Sequence, residues 1–136
     1  MQALSVSCAA AALCLGAVAA HAQDKRVLPP LHMQGSAGYV CGGIGVDEST
    51  LFRSAMKSHP LSLLFARPGG DYLADVQVDI KAHSGDSVLS MTAGGPVCLI
   101  DLPAGRYTIA ATSGGTTKNE TVTVGSGGSK TADFRF

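Results

Sequence analysis

The chain has 136 residues, and its 10 basic side chains balance 10 acidic ones, so the formal net charge is zero. This balance excludes a basic nucleic-acid-binding surface as the main feature of the protein. The aromatic share is only 5% and tryptophan is absent, which leaves few platforms on which nucleic-acid bases would stack. We therefore expect no nucleic acid as a partner.

The first 22 residues have the features of a secretory signal peptide. Residues 3–20 are apolar and uncharged, and they end at the small-residue cleavage signal Ala20-His21-Ala22. We expect cleavage after Ala22, which predicts a bacterial protein that is periplasmic or secreted and keeps no stable membrane span. The alternative is an uncleaved anchor, but an alanine-rich stretch is a poor membrane span.

The remaining residues, 23–136, are enough for one domain. They keep two of the four cysteines, Cys41 and Cys98, because Cys8 and Cys14 belong to the signal segment. An even number of cysteines in an exported chain favours a disulfide between them. Two separate buried thiols are the alternative interpretation.

Three segments precede the strands. Residues 23–38 contain prolines, glycines and scattered charges, which predict an extended lead-in. The glycine-rich segment 39–45 lacks the Lys-Ser or Lys-Thr ending of a phosphate loop, so it is interpreted as backbone packed closely against a sheet. A helix is predicted over about 47–59, with Asp47 as its N-cap and Glu48 favourable to its dipole.

From residue 61 onwards, apolar and polar residues alternate and turn-forming residues recur at short intervals. Val76, Val78 and Ile80, for example, alternate with polar residues that would face water. The spacing predicts about seven short strands over 61–136, and short strands joined by tight turns imply antiparallel pairing. The predicted fold class is an all-β antiparallel sandwich with one short N-terminal helix.

A family pattern lies within these strands. It comprises the run 73–80, the turn 84–86 and, above all, the run Leu102-Pro103-Ala104-Gly105-Arg106-Tyr107. These segments resemble the carboxypeptidase regulatory-like domain, and the segment before the helix is similar to the entry of small exported bacterial proteins that carry this domain. The resemblance implies a transthyretin-like, seven-stranded sandwich within a single domain at 39–136, and it says little about function.

The residue types around Pro103 indicate a structural role for this run. Pro103 and Gly105 would shape a tight turn, and the Tyr107 ring would cover one end of the sandwich while its hydroxyl meets a backbone acceptor. Cys41 and Cys98 are not part of the family pattern, so the disulfide prediction rests on the cysteine argument alone.

Serine-hydrolase chemistry is incomplete in this sequence. Gly85-Asp86-Ser87 is similar to the nucleophile block of small esterases, but no histidine follows His83 to act as the base. A serine without a base is not activated, so a polar hairpin turn is the better interpretation of this segment.

Metal-binding patterns are weak as well. His32, His59 and the histidine at 83 are scattered and lack the spacing of zinc ligands. Asp71, Asp75 and Asp86 could meet through loops at a sheet edge, but their spacing is not that of a calcium loop. We expect no metal and no cofactor, with calcium as the open alternative.

These observations predict a protein that is not an enzyme and acts as a binding or accessory module in the cell envelope. An envelope protein would be its partner, either adding a strand to an exposed sheet edge or contacting the helix and the glycine segment. The alternatives are a hydrolase or small-ligand-binding protein, which would need a pocket joining His59 or His83 to an acid, and a structural envelope component.

Overall fold

A computed structural model describes Gly16 and residues 27–136, which form two β-sheets with one short helix. The predicted signal cleavage after Ala22 and the start of the predicted lead-in lie outside the described residues. Within them, no helix is long and apolar enough to cross a membrane. The elements in chain order are β1 His32–Gln34, β2 Ala37–Gly42, α1 Val46–Ala55, a 3₁₀ turn Met56–Ser58, β3 Leu61–Ala66, β4 Val76–Ala82, β5 Ser87–Ala93, β6 Val97–Asp101, β7 Gly105–Ser113, β8 Thr116–Val124 and β9 Lys130–Arg135.

The strands form two sheets that face each other as a sandwich. Sheet A has the order β1-β2-β6-β3-β9, and sheet B has the order β5-β4-β7-β8. Neighbouring strands pair antiparallel except β3 and β9, which run parallel. The prediction of antiparallel pairing is wrong for this pair. The chain reaches β9 by crossing from sheet B to sheet A, so no hairpin turn dictates its direction.

Within the described residues the sandwich has nine strands rather than the seven predicted. Seven of them, β3 to β9, lie within 61–136, where the sequence placed them. The other two come from 32–42, so the predicted lead-in 23–38 contains β1, and the predicted domain boundary at residue 39 falls inside β2. The glycines of this segment lower its strand propensity, but β2 gains a full ladder from β6.

Two hydrophobic cores hold the layers together. The main core lies between the sheets, where the Phe65 and Phe134 rings of the parallel pair stack with centroids 5.7 Å apart. A smaller core lies between α1 and the outer face of sheet A, where Phe52 packs with Val40, Val97 and Leu99. Burial of the Phe52 side chain contributes about 2 kcal/mol toward holding the helix on the sheet.

The helix is shorter than predicted, and its N-terminus is built differently. It begins at Val46, and its N-cap is Gly45, which offers no side-chain hydrogen bond. The prediction of Asp47 as N-cap is therefore wrong, because Asp47 already lies in the first turn. Glu48 instead reaches back and accepts a hydrogen bond from the Gly43 N–H at 2.9 Å.

Candidate binding site

Apolar side chains are exposed around the start of α1. Val27, Ile44 and Val46 have exposed fractions of 72%, 62% and 83%. Together with Pro29 and Leu51 they line a groove of about 440 Å³, which we call the helix-start groove. Exposed apolar groups gathered around one concavity are typical of interaction surfaces, whereas single exposed apolar side chains are ordinary.

The helix that lines the helix-start groove packs directly on β2. A Cβ placed at Gly42 would clash with the Glu48 carboxylate and would lie only 2.6 Å from a ring carbon of Phe52, so this position accepts no side chain unless these two side chains move. The sequence predicted that the glycine segment packs against a sheet, whereas Gly42 itself lies in a strand of sheet A and its close neighbour is the helix. The bond from Gly43 to Glu48 then holds the short loop between β2 and α1.

The predicted cysteine pair links the strand that leads to this loop, β2, with its neighbour β6. Cys41 and Cys98 are directly opposite in the ladder between β2 and β6, and they form a disulfide with their Cα atoms 4.1 Å apart. The Cys41 sulfur also lies 3.8 Å from the Met91 sulfur of sheet B. This is a packing contact, since a disulfide sulfur has no proton to donate. The disulfide therefore ties the strand beneath the groove to an interior strand of sheet A.

The predicted turn residues lie at one end of the sandwich. The Tyr107 hydroxyl donates a hydrogen bond to the Pro103 carbonyl oxygen at 2.6 Å, which is the backbone acceptor that the sequence predicted. Burial raises the pKa of Tyr107. A Cβ at Gly105 would lie 3.5 Å from the Tyr107 ring, which is ordinary contact. Pro103, Gly105 and Tyr107 stabilise the fold and do not line the helix-start groove.

The other candidates of the sequence lie apart from this groove. Ser87 donates a hydrogen bond to the Asp79 carboxylate at 2.7 Å, so its hydroxyl is already engaged on the exposed side of sheet B. Within 27–136, no group of three or more His, Cys, Asp or Glu residues could hold a metal ion. The structure thus does not assemble Asp71, Asp75 and Asp86 into such a group.

The hydrolase alternative required a histidine joined to an acid, and the structure joins His59 to Asp101, an acid that the sequence did not name. The Nδ1 atom of His59 lies 2.7 Å from the Oδ1 atom of Asp101, and the His59 side chain is only 16% exposed. These residues are 42 positions apart and meet because β3 pairs with β6, so no local pattern could have joined them. His59 also lines an open cleft of about 490 Å³ that includes Ser126. With Nδ1 facing a carboxylate, Nε2 is the nitrogen available for proton transfer.

Comparison with protein-family models and with curated protein sequences finds no match to this chain. Inferences about its function therefore rest on the surfaces described above.

Proposed function

We propose that this protein is an exported, non-enzymatic binding module of the cell envelope, built as a transthyretin-like domain of the carboxypeptidase regulatory-like type. It acts in the periplasm or outside the cell after signal cleavage at Ala22, and it binds an envelope protein through the helix-start groove. The observation that carries the proposal is the exposure of Val27, Ile44 and Val46 around one groove.

Two features of the fold support this proposal. The disulfide is compatible with an oxidising compartment such as the periplasm or the cell exterior. The Tyr107 hydroxyl bond to the Pro103 carbonyl fits the structural role that the sequence gave to the turn on which the family resemblance rests.

The chemistry of the groove favours one kind of partner surface. Its walls are apolar, while Asp47 and Glu48 line it at the start of the helix. A complementary protein would insert an aliphatic or aromatic side chain and place a lysine or arginine near the acidic rim. Covering Ile44 and Val46 would contribute about 1.5–3 kcal/mol for each side chain that becomes fully buried.

Site-specific photo-crosslinking in intact cells tests the proposal. A photoreactive amino acid at position 46 should yield a protein adduct of one recurrent mass. The same group at Thr108, which is exposed on the outer face of sheet B, should not yield that adduct. Ile44→Asp should abolish the adduct formed from position 46. Equal labelling from both positions, or none from position 46 in abundant exported protein, would contradict a partner at this groove.

One observation favours a second candidate function, a serine hydrolase at the cleft beside His59. The His59–Asp101 pair has the arrangement of a base and its orienting carboxylate, and Ser126 lines the same cleft. A fluorophosphonate probe, which reacts with activated serines, distinguishes the two functions. We expect no labelling of the purified protein. Labelling that disappears in both Ser126→Ala and His59→Gln would establish the hydrolase instead.

A further inference from the structure

β8 is the longest exposed edge of the sandwich. It spans nine residues, pairs with β7 on one side, and has no described strand on the other. All residues from Thr116 to Thr121 are exposed. Such an edge presents backbone donors and acceptors to any strand that arrives beside it.

The other sheet-B edge is obstructed. The side-chain amide of Gln34 donates to the Ser90 carbonyl at 2.7 Å and accepts from the Ser90 N–H at 3.0 Å. This amide takes the place of a pairing strand in the middle of β5. In sheet A, the edge strands β1 and β9 have only three and six residues. Among these edge strands, β8 is therefore the best site for pairing with a strand of another chain.

The hairpin turn before β8 decides which of its backbone groups point outward. Gly114 and Gly115 both have positive φ angles, 56° and 81°, which is typical of a two-residue type I′ turn. The flanking residues Ser113 and Thr116 then form a hydrogen-bonded pair, and every second residue of β8 bonds to β7. The remaining odd-numbered residues, from 117 to 123, direct their N–H and C=O groups to the open edge.

A side-chain contact agrees with this alternation. Thr112 and Thr117 are opposite each other, and their hydroxyl oxygens are 2.7 Å apart. Side chains approach most closely at non-hydrogen-bonded pairs, which is the class that the turn assigns to this pair.

The charges on β8 form a self-complementary pattern. Lys118 and Glu120 point toward the sheet-A side, because they are opposite the buried residues Ala111 and Ile109. In an antiparallel pair of β8 strands centred on Asn119, Lys118 of each copy lies opposite Glu120 of the other. Centring the pair one residue earlier would oppose two lysines, and one residue later two glutamates. Cross-strand opposite charges are stabilising and like charges destabilising, so this strand favours one register.

We propose that two copies of this protein associate through their β8 strands, antiparallel and centred on Asn119, to form one continuous eight-stranded sheet. The four strands of each sheet B continue across a two-fold axis, so the interface is isologous. The occupant is a second copy because the order lysine, asparagine, glutamate complements itself when the strand is reversed. Asp133 adds to the negative potential at Glu120, which the incoming lysine would offset.

Analytical ultracentrifugation of the full exported protein tests this proposal with charge reversals. Lys118→Glu and Glu120→Lys each place four like charges at the interface, so either should weaken dimerisation by about tenfold or more. The double variant Lys118→Glu/Glu120→Lys restores both opposite-charge pairs and should dimerise like the original. Lys130→Glu is the matched control, because it makes the same charge change on exposed β9. Circular dichroism checks that each variant is folded.

Engineered cysteines test the register. Asn119→Cys should form a disulfide with its own counterpart in the dimer, whereas Thr123→Cys should not, because its counterpart lies far along the strand. If the inward-facing Lys118 and Glu120 instead protect the edge of β8 from pairing, the protein will stay monomeric. A protein that stays monomeric at high concentration, a dimer that is indifferent to the single reversals, or a double variant that fails to recover would each overturn the proposal. Val46→Asp, which disables the helix-start groove, should leave dimerisation unchanged, so this test is separate from that of the proposed function.

Discussion

The Phe52 ring lies directly against the backbone of Gly42, so the helix packs on β2 where a side chain is missing. The helix-start groove owes its shape to this contact, since the position of α1 sets where Ile44 and Val46 emerge. A residue that carries no functional group thereby positions the candidate binding surface.

Gly42→Ala should lower the free energy of unfolding by about 1–3 kcal/mol, because the new methyl group displaces the Glu48 carboxylate and overpacks the space beneath Phe52. Chemical denaturation monitored by circular dichroism measures the effect. Gly127→Ala is the matched control, since a Cβ there would meet nothing within 4 Å. Equal stability of the two variants would show that the helix moves freely over β2.

Tyr107→Phe should lower the free energy of unfolding by about 1 kcal/mol, because it removes the hydroxyl bond to the Pro103 carbonyl and keeps the ring. Tyr72→Phe provides the comparison. Its hydroxyl is exposed and contacts only the Arg53 guanidinium among the described hydrogen bonds, so a change near zero is expected. A Tyr107 variant as stable as the original would mean that the hydroxyl bond does not stabilise the turn and that other contacts maintain it.

The disulfide should stabilise the protein by about 2–4 kcal/mol, since it closes a loop between residues 57 positions apart. The variant Cys41→Ala/Cys98→Ala should therefore unfold at a lower denaturant concentration. A reductant should lower the midpoint of the original protein and leave that of the variant unchanged. Thiols that alkylate in the native, unreduced protein would contradict the bond itself.

Glu120 should make stability depend on pH. Burial, followed by the neighbouring Asp133 carboxylate, raises the pKa of Glu120 in the folded protein above its ordinary value. Between these two values the folded state retains a proton that the unfolded state has lost, so stability falls as pH rises through this interval.

Glu120→Gln removes this dependence. The free energy of unfolding of the original protein should therefore fall relative to that of the variant as pH rises through the interval. The effect is small because the carboxyl is largely exposed to solvent. Thermal unfolding across the acidic range, at concentrations where the protein is monomeric, measures it. Asp133→Asn should weaken the dependence, and an unaltered profile in both variants would contradict the assignment.

Local features of the fold and of the candidate site followed from the sequence. The alternation of apolar residues and the glycine turns predicted the strand-rich stretch 61–136, because side-chain direction alternates within any strand. The cysteine count predicted the disulfide, and the glycine segment predicted close backbone packing, although the neighbour at Gly42 is the helix and not a sheet. The sequence named the helix and the glycine segment as one of two possible contact surfaces, but it predicted neither a groove there nor the exposure of Ile44 and Val46, since apolar residues are expected inside.

Pairings between distant segments were decided only in the tertiary structure. The parallel entry of β9, the contact between His59 and Asp101, and the side chain of Gln34 on the β5 edge all join residues with no shared local pattern. Each depends on strand order, and strand order minimises exposed apolar area over the whole chain at once. The same is true of the open edge of β8: its charges were visible in the sequence, but the absence of a described neighbour beside it emerged only when the two sheets were assembled.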